Sequence, residues 1–167
     1  MSRGFVREED QEEIPIVPPR ADLPEGVTNY VTQVGMNALL DEKQELMDSI
    51  DHLESINENE RRIAVNHINA KLQLLLNRIT TAKIIDLNRQ PKDEVRFGAL
   101  VTLKIAGEKN LQKYQIVGVD EADVTKGKIS FISPIARLLT NKKFGEKAVL
   151  KLANKDRIFE VVEIVYE

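Results

Sequence analysis

The spacing of apolar and polar positions divides the chain into two unlike halves. From Met36 onward Met36, Leu39, Leu46, Ile50 and Leu53, with the aliphatic stem of Lys43, recur at steps of three and four, the spacing of one helix face. A second seam follows in Val65, Ile68, Leu72, Leu75, Ile79 and Ala82. Between them Glu54-Ser55-Ile56-Asn57-Glu58-Asn59-Glu60 is too polar to continue either seam, and Ser55 with Glu58 three residues later has the form of a capping box. The chain is expected to turn there, and so short a connection makes the helices antiparallel. Residues 36–85 are therefore read as a coiled-coil finger with its tip near 55–59.

From Val95 the period changes to two. Val101, Leu103 and Ile105 alternate with Thr102 and Lys104, and further strands are expected at Tyr114–Val117, Lys128–Ile132, Ala148–Leu152 and Ile158–Tyr166. Turns are expected at Gly107, Gly118, Gly127, Gly145 and around Asn154. Ser133-Pro134, a cap residue followed by proline at the first helical position, opens a short helix running to about Thr140. The expected fold class is α+β: an antiparallel helical hairpin followed by an antiparallel β domain with one short helix. The expected boundaries are a leader at 1–28, the finger at 29–86, a linker at 87–93 and the head at 94–167. The leader mixes Glu8, Glu9, Asp10, Glu12 and Glu13 with Pro15, Pro18, Pro19 and Pro24, which buries little and argues for an extended or disordered tail, although Ile14-Pro15-Ile16-Val17 leaves open a contact with a neighbouring surface. Thr32 is the expected cap of a helix starting near Gln33.

Charge changes this picture by giving the finger a sign. Asp41, Glu42, Glu45, Asp48, Asp51, Glu54, Glu58 and Glu60 face one base, Lys43, within residues 41–60, while Arg61, Arg62, Lys71, Arg78 and Lys83 lie on the return helix. As a solvated coiled-coil surface this needs no further role, and acids at 58–60 suit the positive end of the second helix. The head is mildly basic, with fifteen Lys and Arg against twelve Asp and Glu from residue 86 on. A net charge of −3 argues against a protein that coats nucleic acid, whose affinity comes from many bases meeting phosphates. Cysteine is absent, which excludes disulfides and thiolate metal sites. No apolar run approaches the ~18 residues of a membrane span, and a cytoplasmic monomer is expected. His52 and His67 lie on different helices without a ligand cluster, and Asp120, Glu121 and Asp123 lack the glycine and distal glutamate of a calcium loop, reading as turn-forming acids.

The head carries Tyr114-Gln115-Ile116-Val117-Gly118, then Asp120-Glu121-Ala122-Asp123, Ile129-Ser130 and Ser133-Pro134-Ile135-Ala136-Arg137, with Phe97-Gly98-Ala99 ahead and Glu163-Ile164-Val165-Tyr166 at the close. In this order behind a helical hairpin, they resemble the bacterial GreA/GreB transcript-cleavage factors over roughly Tyr30 to Glu167. The resemblance implies an FKBP-like head that grips the rim of the secondary channel of bacterial RNA polymerase through Asp120, Ile132, Ser133, Pro134, Ile135 and Arg137. It implies a finger inserted into that channel, in indirect contact with the nascent RNA and the DNA, whose tip acids help hold a magnesium ion of the polymerase active site. The chain would then be an accessory factor and no free-standing enzyme, with no cofactor of its own.

Two departures from the family pattern keep alternatives open. Aligning Glu58-Asn59 with the family's tip motif puts Ser55 where an aspartate belongs, so Glu58 is the expected metal-reaching group, with Glu54 and Glu60 as substitutes; capping of Ser55 is the competing role for Glu58. About twenty residues from Met36 to Ser55 give an arm of ~30 Å, several turns shorter than the family's and similar to that of the polymerase-binding relative Rnk. Three functions follow as alternatives: stimulation of transcript cleavage, occupation of the channel without cleavage, and peptidyl-prolyl isomerisation. The last is disfavoured by the absence of tryptophan and an aromatic content of 5%.

Overall fold

The structure is a computed structural model and describes residues 14–53 and 57–167. In chain order the elements are β1 (Tyr30–Val31), α1 (Gln33–Asp51), α2 (Glu58–Thr81), β2 (Lys83–Ile84), β3 (Leu100–Ile105), β4 (Gln112–Val117), β5 (Lys128–Ser130), α3 (Pro134–Leu139), β6 (Lys147–Lys151) and β7 (Asp156–Val165). Single 3-10 turns at Leu87–Arg89 and Val124–Lys126 interrupt the connections. The α+β order expected from the pattern of apolar positions is the observed one.

The two helices pack along the expected seams. Leu39 and Leu75 are buried, and the other seam residues of both helices are half-buried, because period-3.6 apolar stripes have only each other to cover them. Thr32 caps α1, its hydroxyl accepting from Gly35 N at 2.9 Å. At the other end the finger differs from expectation: α2 stops at Thr81, and Lys83–Ile84 is a strand paired in parallel with Tyr30–Val31. The reason is tertiary. Asn29 Nδ2 donates to the Arg78 carbonyl at 3.0 Å, its own carbonyl accepts from Lys83 N at 2.8 Å, and Val31 O accepts from Ile85 N at 2.9 Å. The carbonyl of Arg78 thus finds its partner outside the helix, and the β-branched Ile84 and Ile85 continue as extended chain.

The head is one five-stranded sheet in the order β5-β4-β3-β7-β6. Its apolar face, including Val101, Leu103, Ile105, Ile116, Phe159 and Val161, is closed by Ala136 and Leu139 of α3. Ser133 caps α3 and Pro134 occupies its first turn, as the sequence indicates. The expectation of a wholly antiparallel sheet needs one correction: β4 and β5 run parallel, with Gln115 opposite Lys128 and Val117 opposite Ser130. Residues 118–127 form no tight hairpin but carry the chain back beside the start of β4, where Gly127, at φ 69°, hands it into β5. A register shift between Thr102 and Leu103 leaves Val162 of β7 as an extra residue, and Thr102, which strict alternation would place outside, is buried.

The finger root rests on the head. Gly118 carries it: a Cβ there would stand 2.5 Å from the Tyr30 carbonyl oxygen, so only glycine admits this approach. Tyr30 then stacks at an angle on Phe97 and Phe131, with ring centroids 5.6–5.9 Å apart.

The C-terminal strand is tied down by Tyr166, whose hydroxyl donates to the Glu94 carbonyl and accepts from Arg96 N at 2.7 Å. Burial raises this phenol above its ordinary pKa of about 10. Ionisation is then easier in the unfolded chain, so stability is complete below pH ~10 and falls as pH rises through the folded value. Denaturant unfolding across this alkaline range should show the fall in the native protein, and Tyr166→Phe should lack that component.

Candidate functional site

The tip is organised by Asn57. Its Oδ1 accepts from Glu60 N at 2.8 Å and its carbonyl from Arg61 N at 3.0 Å, which makes it the N-cap of α2. This corrects the capping-box expectation, because Glu58 is the first helical residue and not the third after the cap. Ser55 and Glu54 lie outside the described residues. Glu58 and Glu60 occupy the first helical turn, both exposed, where the helix dipole favours their charge. Among the described residues neither carboxylate has an ion-pair partner. Arg61 instead donates to the Leu53 carbonyl at 3.3 Å, and Arg62 to Asn59 Oδ1 at 3.0 Å. The basic residues at the tip therefore brace the turn and leave the acids open.

What these acids can do alone is limited. Among the described residues no group of three or more His, Asp or Glu side chains could hold a metal ion. Magnesium requires about six oxygen ligands in near-ideal octahedral geometry, so one or two exposed carboxylates can complete a site whose other ligands come from elsewhere but cannot form one. His52 bonds the Asp48 carbonyl through Nδ1, and His67 is half-buried on α2.

On the head, Ile132, Ser133, Pro134, Ile135 and Arg137 form the corner between β5 and α3. Pro134 and Arg137 are exposed and Ile132 is half-buried, while Ile135 packs partly on the core and Ser133 is occupied as the cap. The corner presents a proline, a guanidinium and part of an isoleucine to solvent. Sequence reasoning passed over Phe144, which is 74% exposed near Lys142 and Lys143 in the turn between α3 and β6. The only signal was an aromatic residue between lysines and a glycine.

Asp120, also expected in docking, has its carboxylate turned inward. Its side chain is 7% exposed and bonded to Arg20 Nε at 3.0 Å, with Arg78 Nε at 3.9 Å. Oδ1 is taken by Arg20, while Oδ2 is buried between leader, finger and head without a hydrogen-bond partner. Glu121 is also turned inward: Oε1 accepts from the Thr32 hydroxyl at 2.5 Å, and Oε2 pairs with Lys128 at 3.0 Å. Gly35 leaves room for this carboxylate, since a Cβ there would stand 2.8 Å from Oε1. Asp123 is the turn-forming acid expected of it, accepting from Thr125 N at 3.0 Å and the Thr125 hydroxyl at 2.6 Å. The Thr125 hydroxyl bond holds it below the usual carboxylate pKa.

A fingered molecule with open acids at the tip and a small β head can be set beside known proteins. Residues 90–166 match the family model for the C-terminal part of the GreA/GreB transcription elongation factors. The chain thus carries a GreA/GreB C-terminal domain. The transcription elongation factor GreA of Hyphomonas neptunium is 40% identical over 100 residues, which span 60% of this chain and 64% of that protein. That of Rhodospirillum rubrum is 29% identical over 153 residues, 92% of this chain and 98% of that protein. Among solved structures, a GreA/GreB elongation factor from Nitrosomonas europaea aligns over 82% of this chain and 98% of its own at 14% identity, with a TM-score of 0.42. The GreA factor homolog 1 of Thermus thermophilus aligns over 83% and 99% at 20% identity, with a TM-score of 0.39. Among the described residues no helix is long and apolar enough to cross a membrane.

The cap at Asn57 should control the order of the tip. Asn57→Ala should cost about 0.5–2 kcal/mol locally. Amide exchange at Glu60 should accelerate accordingly, while exchange at Leu75 in the middle of α2 stays unchanged.

Proposed function

We propose that the chain is a transcription elongation factor that docks its head at the rim of the secondary channel of bacterial RNA polymerase and passes its finger into the channel. There Glu58 and Glu60, with Glu54 of the same tip, add oxygen ligands to the polymerase's own catalytic magnesium site and raise its hydrolysis of backtracked RNA. The observation that supports this reading is the pair of exposed carboxylates on the first turn of α2, carried by a chain whose head is a GreA/GreB domain. Magnesium supplies charge neutralisation and a more acidic bound water; this chain supplies reach and negative charge. Docking falls to Pro134, Arg137, Ile132 and Ile135, with Ser133 holding the corner rigid. The factor acts as an accessory in the cytoplasm and carries no metal of its own.

A second reading is favoured by one observation, the length of α1. Its 19 residues extend about 28 Å. A carboxylate binds magnesium only at about 2.0–2.1 Å, so an arm a few ångströms short would fill the channel without supporting cleavage. The chain would then be a channel-occupying regulator, in the manner of Rnk or of an anti-Gre factor.

Backtracked elongation complexes assembled with purified bacterial RNA polymerase separate the two. If the first reading holds, the protein shortens the transcript, and the double variant Glu58→Ala/Glu60→Ala loses about 10- to 100-fold of that rate while still binding. Binding and competition with a cleaving factor, without shortened RNA, establishes the second reading. Failure to bind polymerase excludes both.

A further inference from the structure

At Arg20 the leader is tied to both the finger and the head. Arg20, which the sequence places in a proline-rich tail, forks onto Glu42 of α1 with Nη1–Oε1 at 2.8 Å and Nη2–Oε2 at 3.0 Å. Its Nε is at the same time 3.0 Å from Asp120 Oδ1 in the head. Arg78 of α2 approaches the same carboxylate from the finger, and its Nη2 donates to the Ala21 carbonyl of the leader. Pro18, Pro19, Arg20 and Ala21 thus line one side of a cavity of about 410 Å³ whose other walls are Leu46, Lys71 and Leu74 of the finger and Val119 and Ala122 of the head. The two carboxylates and two guanidiniums balance in charge, and Arg20 bonds both finger and head. The Glu42 bonds, followed by those to Asp120, hold its pKa above the ordinary arginine value.

We propose that Arg20 is a positioning residue: it latches α1 to the head and sets the angle at which the finger, and so the acidic tip, leaves the head. The root contacts at Tyr30, Gly118 and Thr32 resist sliding but lie close to any axis about which the finger would swing. Glu42 is ten residues beyond Thr32, about 15 Å along α1. A bond there has the leverage that the root lacks. Arginine suits the place because its planar fork engages Glu42 through two nitrogens while the third reaches Asp120, which the ammonium of lysine cannot reproduce. The consequence for transcript cleavage rests on the function proposed above; the mechanical claim does not.

The test needs no polymerase. The native chain has no cysteine, so Asn69→Cys on α2 and Lys109→Cys on the head allow two spin labels to be attached uniquely. Pulsed electron-spin distance measurement on the full chain should give a narrow distribution. Arg20→Ala should broaden or shift it, and Arg20→Lys should fail to restore it. An unchanged distribution in Arg20→Ala overturns the proposal, even if the melting temperature falls, because Arg20 would then stabilise the fold without orienting the finger. Should Arg20→Ala not fold by circular dichroism, Glu42→Gln, which leaves both partners of Asp120 in place, decides by the same criterion. Polymerase binding measured on the same variants keeps a failed latch distinct from a failed docking function.

Discussion

A carboxylate withdrawn from water must be met by positive charge or hydrogen bonds, and Asp120 sits where three parts of the chain have to meet it. It belongs to the connection between the two parallel strands of the head, it is nearly buried, and its counter-charges come from Arg78 on the return helix and Arg20 in the leader. The next residue repeats the arrangement, Glu121 binding the cap threonine of α1 on one side and Lys128 at the start of β5 on the other. Both acids follow Gly118, the position at which the backbone of the finger root touches the head. Residues 118–121 are thus the seat of the finger, and leaving either carboxylate unpartnered in this seat would carry the large penalty of a desolvated, uncompensated charge.

That arrangement explains which parts of the molecule could be read without a structure. Periodicity is a local property, so the twelve seam positions, the β alternation of the head and the Ser133-Pro134 start of α3 were all legible. Where two local signals competed, the nearer one to the helix won: Ser55 and Asn57 are both capping types two residues apart, and the box formed with Glu58 pointed to the wrong one. The end of α2 was hidden for a different reason. Ile79 and Ala82 continue the helical spacing, and the group that takes over the carbonyl of Arg78 is Asn29, far away in sequence. The parallel pairing of β4 and β5 was hidden because glycines at both ends of residues 118–127 signal turns without saying that the chain returns to where β4 began.

The candidate site divides in the same way. Exposed acids at a helix start can be inferred from charge and period, and Glu58 and Glu60 are where those signals put them. Asp120 could not be assigned, because its partner Arg20 lies 100 residues earlier in a segment whose composition reads as a tail. A single arginine among prolines carries no pattern. Only the geometry distinguishes a residue that spans two domains from one that merely keeps a tail soluble.

The stiffness of the seat bears directly on the proposed chemistry. Over an arm of ~28 Å, each degree of swing at the root displaces the tip by ~0.5 Å. Groups that complete a catalytic site must be held within about 0.5 Å of their productive position, so a finger free to rock by even a few degrees would spread its carboxylates over far more space than a metal site tolerates. A channel wall could narrow that spread after insertion, but only by taking up the ordering cost at the moment of binding. A latch some 15 Å above the root moves this cost into folding, where the bonds of Arg20 to Glu42 and Asp120 meet it. A short finger gains most from such a device, because it has less length in the channel along which the wall could guide it.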